Sequence, residues 1–159
     1  MRVRSALIGD FAALNQLLLE SDFLHAELLP RLFRKPKGIS RPCHEIERIL
    51  RSSDDALLVA EDAGPARVVG LVHVQIYHTP PSTSMVQARR AHVDSLVVAR
   101  EFRRHGVGRA LVEAASGWAG RRGAVEVLLT VWAGNREAEA FYRELGFDHV
   151  SQVLGKRLD

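Results

Sequence analysis

Hydrophobic and polar positions along the first third of the chain predict one strand and two helices. The segment 3–7 predicts a short strand, and Asp10 stands after it as a candidate helix N-cap. The following apolar residues recur at the helical spacing i, i+3, i+6 and i+7: Phe11, Leu14, Leu17 and Leu18. A second helix, beginning near Ser40 or Pro42, carries its apolar face on Ile46, Ile49 and Leu50.

The middle of the chain predicts three strands in succession. Residues 56–60 form an apolar run, residues 67–78 are β-branched and alternating, and residues 92–98 are similar. The segment 62–65 contains Gly-Pro and predicts the turn of a hairpin between the first two strands.

The last third returns to an alternation of helix and strand. Its strongest helical stripe is formed by Val107, Ala110, Leu111, Ala114, Ala115 and Trp118. After Gly120 and Gly123, residues 125–131 predict a strand. A further helix, capped by Asn135 and followed by Gly146 at C′, presents Ala138, Phe141, Tyr142 and Leu145 on one face. Residues 147–154 predict a final strand, so the expected order is β-α-α-β-β-β-α-β-α-β.

This order predicts a single domain over residues 1–159, of the α/β (α+β) class, with helices on both faces of a central mixed sheet. The composition agrees, with 47% hydrophobic and 26% charged residues. The net charge of +3 comes from scattered arginines, and aromatic residues are only 6%, which argues against nucleic-acid binding. No apolar run is long enough to cross a membrane, and no secretory signal precedes the first strand. One cysteine, Cys43, excludes an intrachain disulfide, and we expect a cytoplasmic protein.

The segment that carries chemistry is the turn between the strand 92–98 and the helix that starts near Val107. A strand that enters a glycine-containing turn and opens a helix presents unpaired amides and a positive helix end, which together bind phosphate. Gly106 and Gly108 leave room for a ligand close to the backbone, and three arginines surround the turn. The chain lacks the Lys-Ser/Thr of a P-loop and the third glycine of a dinucleotide fingerprint.

The turn resembles the acyl-CoA-binding motif of the GNAT superfamily of N-acetyltransferases, Arg-x-x-Gly-x-Gly after a Leu-x-Val strand. Downstream, Asn135, Ala138, Phe141-Tyr142 and Leu145-Gly146-Phe147 are similar to the second signature of that family. The resemblance extends over about the whole chain and is strongest between residues 92 and 147. It implies the GNAT fold, a mixed and mostly antiparallel sheet with a splayed strand pair and about four helices, and it implies acetyl-CoA as the acetyl donor.

The resemblance also implies which residues bind that donor. The strand before the turn would pair with the pantetheine arm, the amides of the turn would hold the pyrophosphate, and the later helix would face the other side of the pantetheine. The implied cofactor-binding residues are Leu96, Val97, Val98, Arg103, Arg104, His105, Gly106, Val107, Gly108, Arg109, Asn135, Ala138 and Phe141.

Three residues are candidates for catalysis. Tyr142 is either the general acid that protonates the departing thiolate, as in many relatives, or a core aromatic on the apolar face of its helix. Asp94 and His92 lie two apart on one strand and so share a face, where either could serve as base or as part of a water relay. The alternative is that Asp94 is a structural acceptor and that His92 only lines the pocket. His44, His73 and His78 lack the spacing of metal ligands, so no metal is expected.

We therefore expect an enzyme that transfers the acetyl group of acetyl-CoA directly to a primary amine. A non-catalytic acyl-CoA sensor or partner module of the same fold stays open as the alternative. The basic residues between Arg31 and Arg41, with Arg89 and Arg90, favour an acceptor that also bears an anionic group. Neither nucleic acid nor membrane is expected as a partner, and a homodimer is compatible with the sequence.

Overall fold

The computed structural model describes residues 1–64, 67–80 and 84–158. Within them, four α-helices and five strands follow the predicted order up to the last helix, and two 3-10 helices, Ile8–Asp10 and Arg100–Phe102, are additional to it. The strands are β1 Arg2–Ser5, β2 Asp55–Glu61, β3 Val68–His78, β4 Arg89–Val98 and β5 Val127–Leu129. The helices are α1 Phe11–Leu28, α2 Cys43–Arg51, α3 Val107–Arg121 and α4 Arg136–Glu144. The predicted turn at 62–65 lies partly outside the described residues.

The strands form one sheet in sequence order, β1-β2-β3-β4-β5. The first four strands pair antiparallel, and β5 pairs with β4 in parallel. This mixed, mostly antiparallel sheet with four helices confirms the expected fold class.

The sheet is covered on both faces, which explains the continuous apolar runs of β2 and β3. On one face, α3 buries Val107, Leu111 and Ala115 against strand residues such as Val72 and Val93. On the other face, α1 and α2 bury Leu14, Leu17, Leu18, Ile46 and Ile49. Each fully buried Leu or Ile side chain contributes about 1.5–3 kcal/mol, so the periodic stripes account for both helix layers.

The beginning of α1 differs from the expectation. Asp10 occupies the N-cap position, but its side chain makes no hydrogen bond to the first turn of α1. Its carboxylate instead accepts from the Leu7 amide at 2.7 Å and forms a salt bridge with Arg4 at 2.8 Å. Arg4 also binds Glu61 on β2, so Asp10 ties the start of α1 to β1 rather than capping the helix.

The C-terminal strand expected over residues 147–154 does not form. Residues 148–158 have no regular secondary structure, and Val150, Val153 and Leu154 are 69%, 96% and 83% exposed. β5 is also shorter than the predicted segment 125–131. No described residue after Ala119 is buried, so α4 supplies no buried side chain, and only partly buried residues such as Val127 and Leu129 pack against the core from this part of the chain.

Candidate active site

A cleft opens where β4 and β5 separate. The two strands pair only between Ala91–Val93 and Val127–Leu129, whereas β4 continues to Val98. The edge of β4 that faces β5 is therefore unpaired along Leu96, Val97 and Val98, the segment expected to pair with pantetheine. The Val98 carbonyl accepts a hydrogen bond from Arg103 Nε at 3.1 Å, so Arg103 closes the turn rather than projecting freely from it.

The turn that follows β4 holds a row of free amides at the start of α3. Arg104 and Gly106 adopt positive φ values of 65° and 81°, which bend the backbone into a concave loop. Within the described part of the chain, no residue accepts a hydrogen bond from the amides of residues 104–109, and Ala110 is the first to donate, to the Gly106 carbonyl. His105 Nδ1 lies 2.7 Å from the Arg103 carbonyl and steadies the loop. Such amides at a helix N-terminus suit a pyrophosphate.

The two signature segments meet in this cleft. A Cβ placed on Gly108 would lie 3.1 Å from Phe141 Cζ and 3.8 Å from Val98 Cγ2, so glycine lets α4 approach α3 and β4 closely. Asn135 begins α4 as predicted, because its side chain accepts from the Ala138 amide at 3.2 Å. The prediction of Gly146 at C′ agrees with its φ of 86°.

Tyr142 is half-buried beside Phe141 in an aromatic cluster. Its ring lies edge-on to Phe141 and Phe147, with centroid distances of 5.1 and 5.5 Å. The phenol makes no hydrogen bond to any described residue, and burial raises its pKa above the ordinary value. The phenol is therefore protonated at neutral pH and able to donate a hydrogen bond.

A second cavity, of about 150 Å³, lies on the face of the sheet covered by α1 and α2. Its polar lining is Arg41, Glu45, Arg48, Asp55, His73, Gln75, Asp94 and Ser95. Three carboxylates thus face two arginines. Arg41 is within 4 Å of both Asp22 and Glu45, which leaves Arg48 as the arginine without a partner among the described residues.

Asp94 enters this cavity through a β-bulge. His73 pairs with Ser95 and Val74 pairs with Val93, so Asp94 is an extra residue on β4. Adjacent residues of a regular strand point to opposite faces, but here both Asp94 and Ser95 line the cavity. His92 lies opposite Gln75 and Leu128 and is not part of the cavity lining.

His73 is the residue that sequence reasoning missed. It is 9% exposed, with Nε2 at 2.7 Å from Asp55 Oδ1 and Nδ1 at 3.5 Å from Asp94 Oδ2. Burial alone would lower its pKa, but the hydrogen bonds with Asp94 and Asp55 outweigh burial and raise the pKa of His73 above its ordinary value. The same contact with His73 lowers the pKa of Asp94. The only sequence signal for this cluster is a histidine within an apolar strand.

Other residues singled out from the sequence lie outside these two sites. Arg90 pairs with Glu126 at 3.0 Å, and Arg89 donates to the Arg122 carbonyl at 2.7 Å. Among the described residues, no group of three or more His, Cys, Asp or Glu side chains is arranged to hold a metal ion. None of the helices formed by these residues is apolar over enough length to traverse a bilayer.

Comparison with known proteins points to one family. The model of the Acetyltransferase (GNAT) family matches residues 22–147. No curated protein sequence matches the chain. A mutant of the BH1408 protein from Bacillus halodurans is 22% identical, with 99% of each chain covered and a TM-score of 0.94.

Two solved N-acetyltransferases share the fold at lower similarity. Glucosamine-6-phosphate N-acetyltransferase from Arabidopsis thaliana is 20% identical, covering 99% of this chain and 98% of its own, with a TM-score of 0.69. Aminoglycoside 6'-N-acetyltransferase AAC(6')-Ih from Acinetobacter baumannii is 15% identical, covering 99% and 97%, with a TM-score of 0.75.

Proposed function

Because this chain belongs to the GNAT acetyltransferase family, we propose that it is an enzyme that transfers the acetyl group of acetyl-CoA directly to a primary amine. The observation that carries the proposal is the cleft between β4 and β5. It combines a free strand edge, a loop of free amides and a protonated phenol. The strand edge suits the pantetheine arm of acetyl-CoA, the loop of amides suits its pyrophosphate, and the phenol suits the sulfur of its thioester.

Each part of the cleft has a role in this reaction. The amides of residues 104–109 bind the pyrophosphate, with Arg104 and Arg109 adding positive charge. The free edge of β4 orients the pantetheine and offers amides to the thioester carbonyl. Asn135 and Ala138 hold the start of α4, which places Phe141 and Tyr142 on the opposite wall. Tyr142 donates to the sulfur as the carbon–sulfur bond breaks.

The acceptor amine binds in the cavity under α2. Glu45, Asp55 and Asp94 give this cavity the carboxylates that attract an ammonium group, and Asp94 stands on the same strand as the free edge. Arg48 offers one contact to an anionic group on the acceptor. The cytoplasm remains the compartment that we expect from the single cysteine.

The proposal is tested in two steps with the full chain. Acetyl-CoA should bind in a calorimetric titration and raise the melting temperature, since a ligand at 100 times its Kd stabilises the folded state by about 2.7 kcal/mol. Thiol release is then measured with phenylalanine, phenethylamine and spermidine. An absence of acetyl-CoA binding would overturn the proposal. Tight binding without thiol release, across a widened panel of amines, would favour the non-catalytic acyl-CoA module instead.

A further inference from the structure

We propose that His73 accepts the proton of the incoming ammonium, with Asp94 anchoring that ammonium and Asp55 fixing the imidazole. This inference rests on the proposed acetyl transfer and adds the identity of its base. It replaces the two candidates that the sequence suggested, because His92 does not line the cavity and Asp94 acts as an anchor.

The geometry defines which nitrogen of His73 is available. In the neutral imidazole, Nε2 donates its proton to Asp55 Oδ1 at 2.7 Å, which leaves the lone pair of Nδ1 directed toward Asp94 and the cavity. Nδ1 and Asp94 Oδ2 are 3.5 Å apart. Two acceptors at that separation can both receive N–H bonds from one ammonium group. Ser95 Oγ donates to the same Asp94 oxygen at 3.2 Å and holds the carboxylate in place.

Of these two acceptors, His73 is the stronger base. The contact with the protonated imidazole of His73 lowers the pKa of Asp94, so its carboxylate is a weaker proton acceptor than an ordinary aspartate. The carboxylates of Asp94 and Asp55 raise the pKa of His73 despite its burial. An Asp–His pair of this kind sets the tautomer and stabilises the imidazolium that forms.

The charges around His73 come from three neighbouring elements. Glu45 and Arg48 face the cavity from α2 with Arg41 just before it, Asp55 faces it from β2, and Asp94 faces it from β4. Gln75, the other polar residue of β3 in the lining, is uncharged. Carboxylates outnumber arginines by three to two, so the surroundings favour the imidazolium after proton transfer.

The proton balance of the reaction follows directly. The ammonium N–H breaks and an N–H forms at Nδ1 of His73. The amine lone pair then attacks the thioester carbon, the C–N bond forms and the C–S bond breaks. Of the two protons that the nitrogen loses, one leaves His73 for solvent past the half-exposed Asp94. The second leaves the nitrogen once the C–N bond has formed and passes through solvent to the phenolate that Tyr142 becomes when it gives its proton to the sulfur.

The kinetic test compares His73→Gln, Asp94→Asn and Asp55→Asn with wild type, using the amine that reacts in the panel above. In wild type, kcat/KM should fall with unit slope as pH drops through a pKa above 6.5, where His73 becomes protonated. The glutamine of His73→Gln keeps a donor for Asp55 but has no basic nitrogen. The acid limb of the profile, which is this fall of kcat/KM at low pH, should therefore vanish, and kcat should fall by about 10²–10⁴-fold. Both Asp94→Asn and Asp55→Asn should keep the limb but move it to lower pH, because each removes a carboxylate that raises the pKa of His73, and Asp94→Asn alone should also raise KM.

The control is His78→Gln, which removes the exposed histidine of the same strand and should leave both the rate and the acid limb unchanged.

A purely structural role for His73 predicts a different result. Its raised pKa would contribute stability below pH 6.5 that is lost as pH rises through the folded pKa. His73→Gln would then alter only the pH dependence of the melting temperature. An intact acid limb in a folded His73→Gln variant overturns the proposal.

A nuclear magnetic resonance titration of the wild-type imidazole needs neither an active acceptor nor a folded variant. We expect neutral His73 to carry its proton on Nε2, and phenethylamine to lower its apparent pKa by bridging Nδ1 and Asp94. A proton on Nδ1, or a His73 signal indifferent to saturating phenethylamine, overturns the proposal. If these signals behave as expected but no amine releases CoA, the ammonium site stands and the proposed acetyl transfer fails.

Discussion

At the scale of single residues, Tyr142 connects the aromatic cluster of α4 with the chemistry of the leaving group. Its hydroxyl is the polar group of the cluster with Phe141 and Phe147, and it makes no hydrogen bond to any described residue. Tyr142→Phe keeps all three rings, so we expect acetyl-CoA to bind with unchanged Kd. The value of kcat should fall by about 10²–10⁴-fold if the phenol donates to the sulfur. Saturated thiol-release rates that equal wild type would return Tyr142 to a packing role, provided that rapid-quench measurements show no burst, the sign that chemistry is rate-limiting.

Residue roles were predictable where they follow from local backbone rules. Asn135 precedes its helix with an oxygen that can reach an amide three residues on, and the structure shows that bond. His73 could not be assigned in this way. Its partners lie on β2 and β4, and one of them reaches it through a bulge that no periodicity indicates. Its role depends on pairing register, which becomes visible only in the assembled sheet.

At the scale of elements, the approach of α4 to α3 depends on Gly108. A side chain there would press on Phe141, whose Cζ would lie only 3.1 Å from the new Cβ, so Gly108→Val should push α4 away and weaken acetyl-CoA binding by about tenfold or more. Gly120→Ala is the matched control on the same helix, because nothing lies within 4 Å of its Cβ position. It should leave Kd unchanged and stabilise α3 by about 1 kcal/mol. Calorimetric Kd values and unliganded melting curves check both, and equal Kd values for Gly108→Val and wild type would contradict the first.

Helices and strands were predictable from the sequence where their apolar residues pack against another element of the structure. The apolar stripes of α1, α2 and α3 pack against the two faces of the sheet, so the residues with helical spacing in the sequence are the residues that are buried in the structure. Residues 147–154 also contain apolar residues at intervals, but they form no strand. Strand propensity measures fit to a neighbouring strand rather than an intrinsic preference, and the described structure pairs nothing with this segment.

At the scale of the whole molecule, the basic excess is smaller near the acceptor cavity than the sequence suggests. Arg41, Arg89 and Arg90 are engaged by neighbours, and Arg48 alone of the lining arginines has no partner among the described residues. One partly exposed contact contributes about 0–1 kcal/mol. Arg48→Gln should therefore lower kcat/KM for phenylalanine by only about two- to fivefold, and less at high salt. Phenethylamine, which lacks the carboxylate, serves as the internal control. A stronger preference for spermidine than for phenylalanine would contradict an anionic acceptor.

The absence of buried side chains after Ala119, within the described part of the chain, has a consequence for how the molecule unfolds. Local opening costs least where few apolar contacts are lost, so β5, α4 and the segment 148–158 should open while β2, β3 and α3 stay closed. A thioester ligand bound between β4 and α4 would give this region the buried contacts that its own side chains do not supply. The quarter of the chain that holds Tyr142 would then be ordered in proportion to the supply of acetyl donor, which makes the ligand a folding partner as well as a substrate.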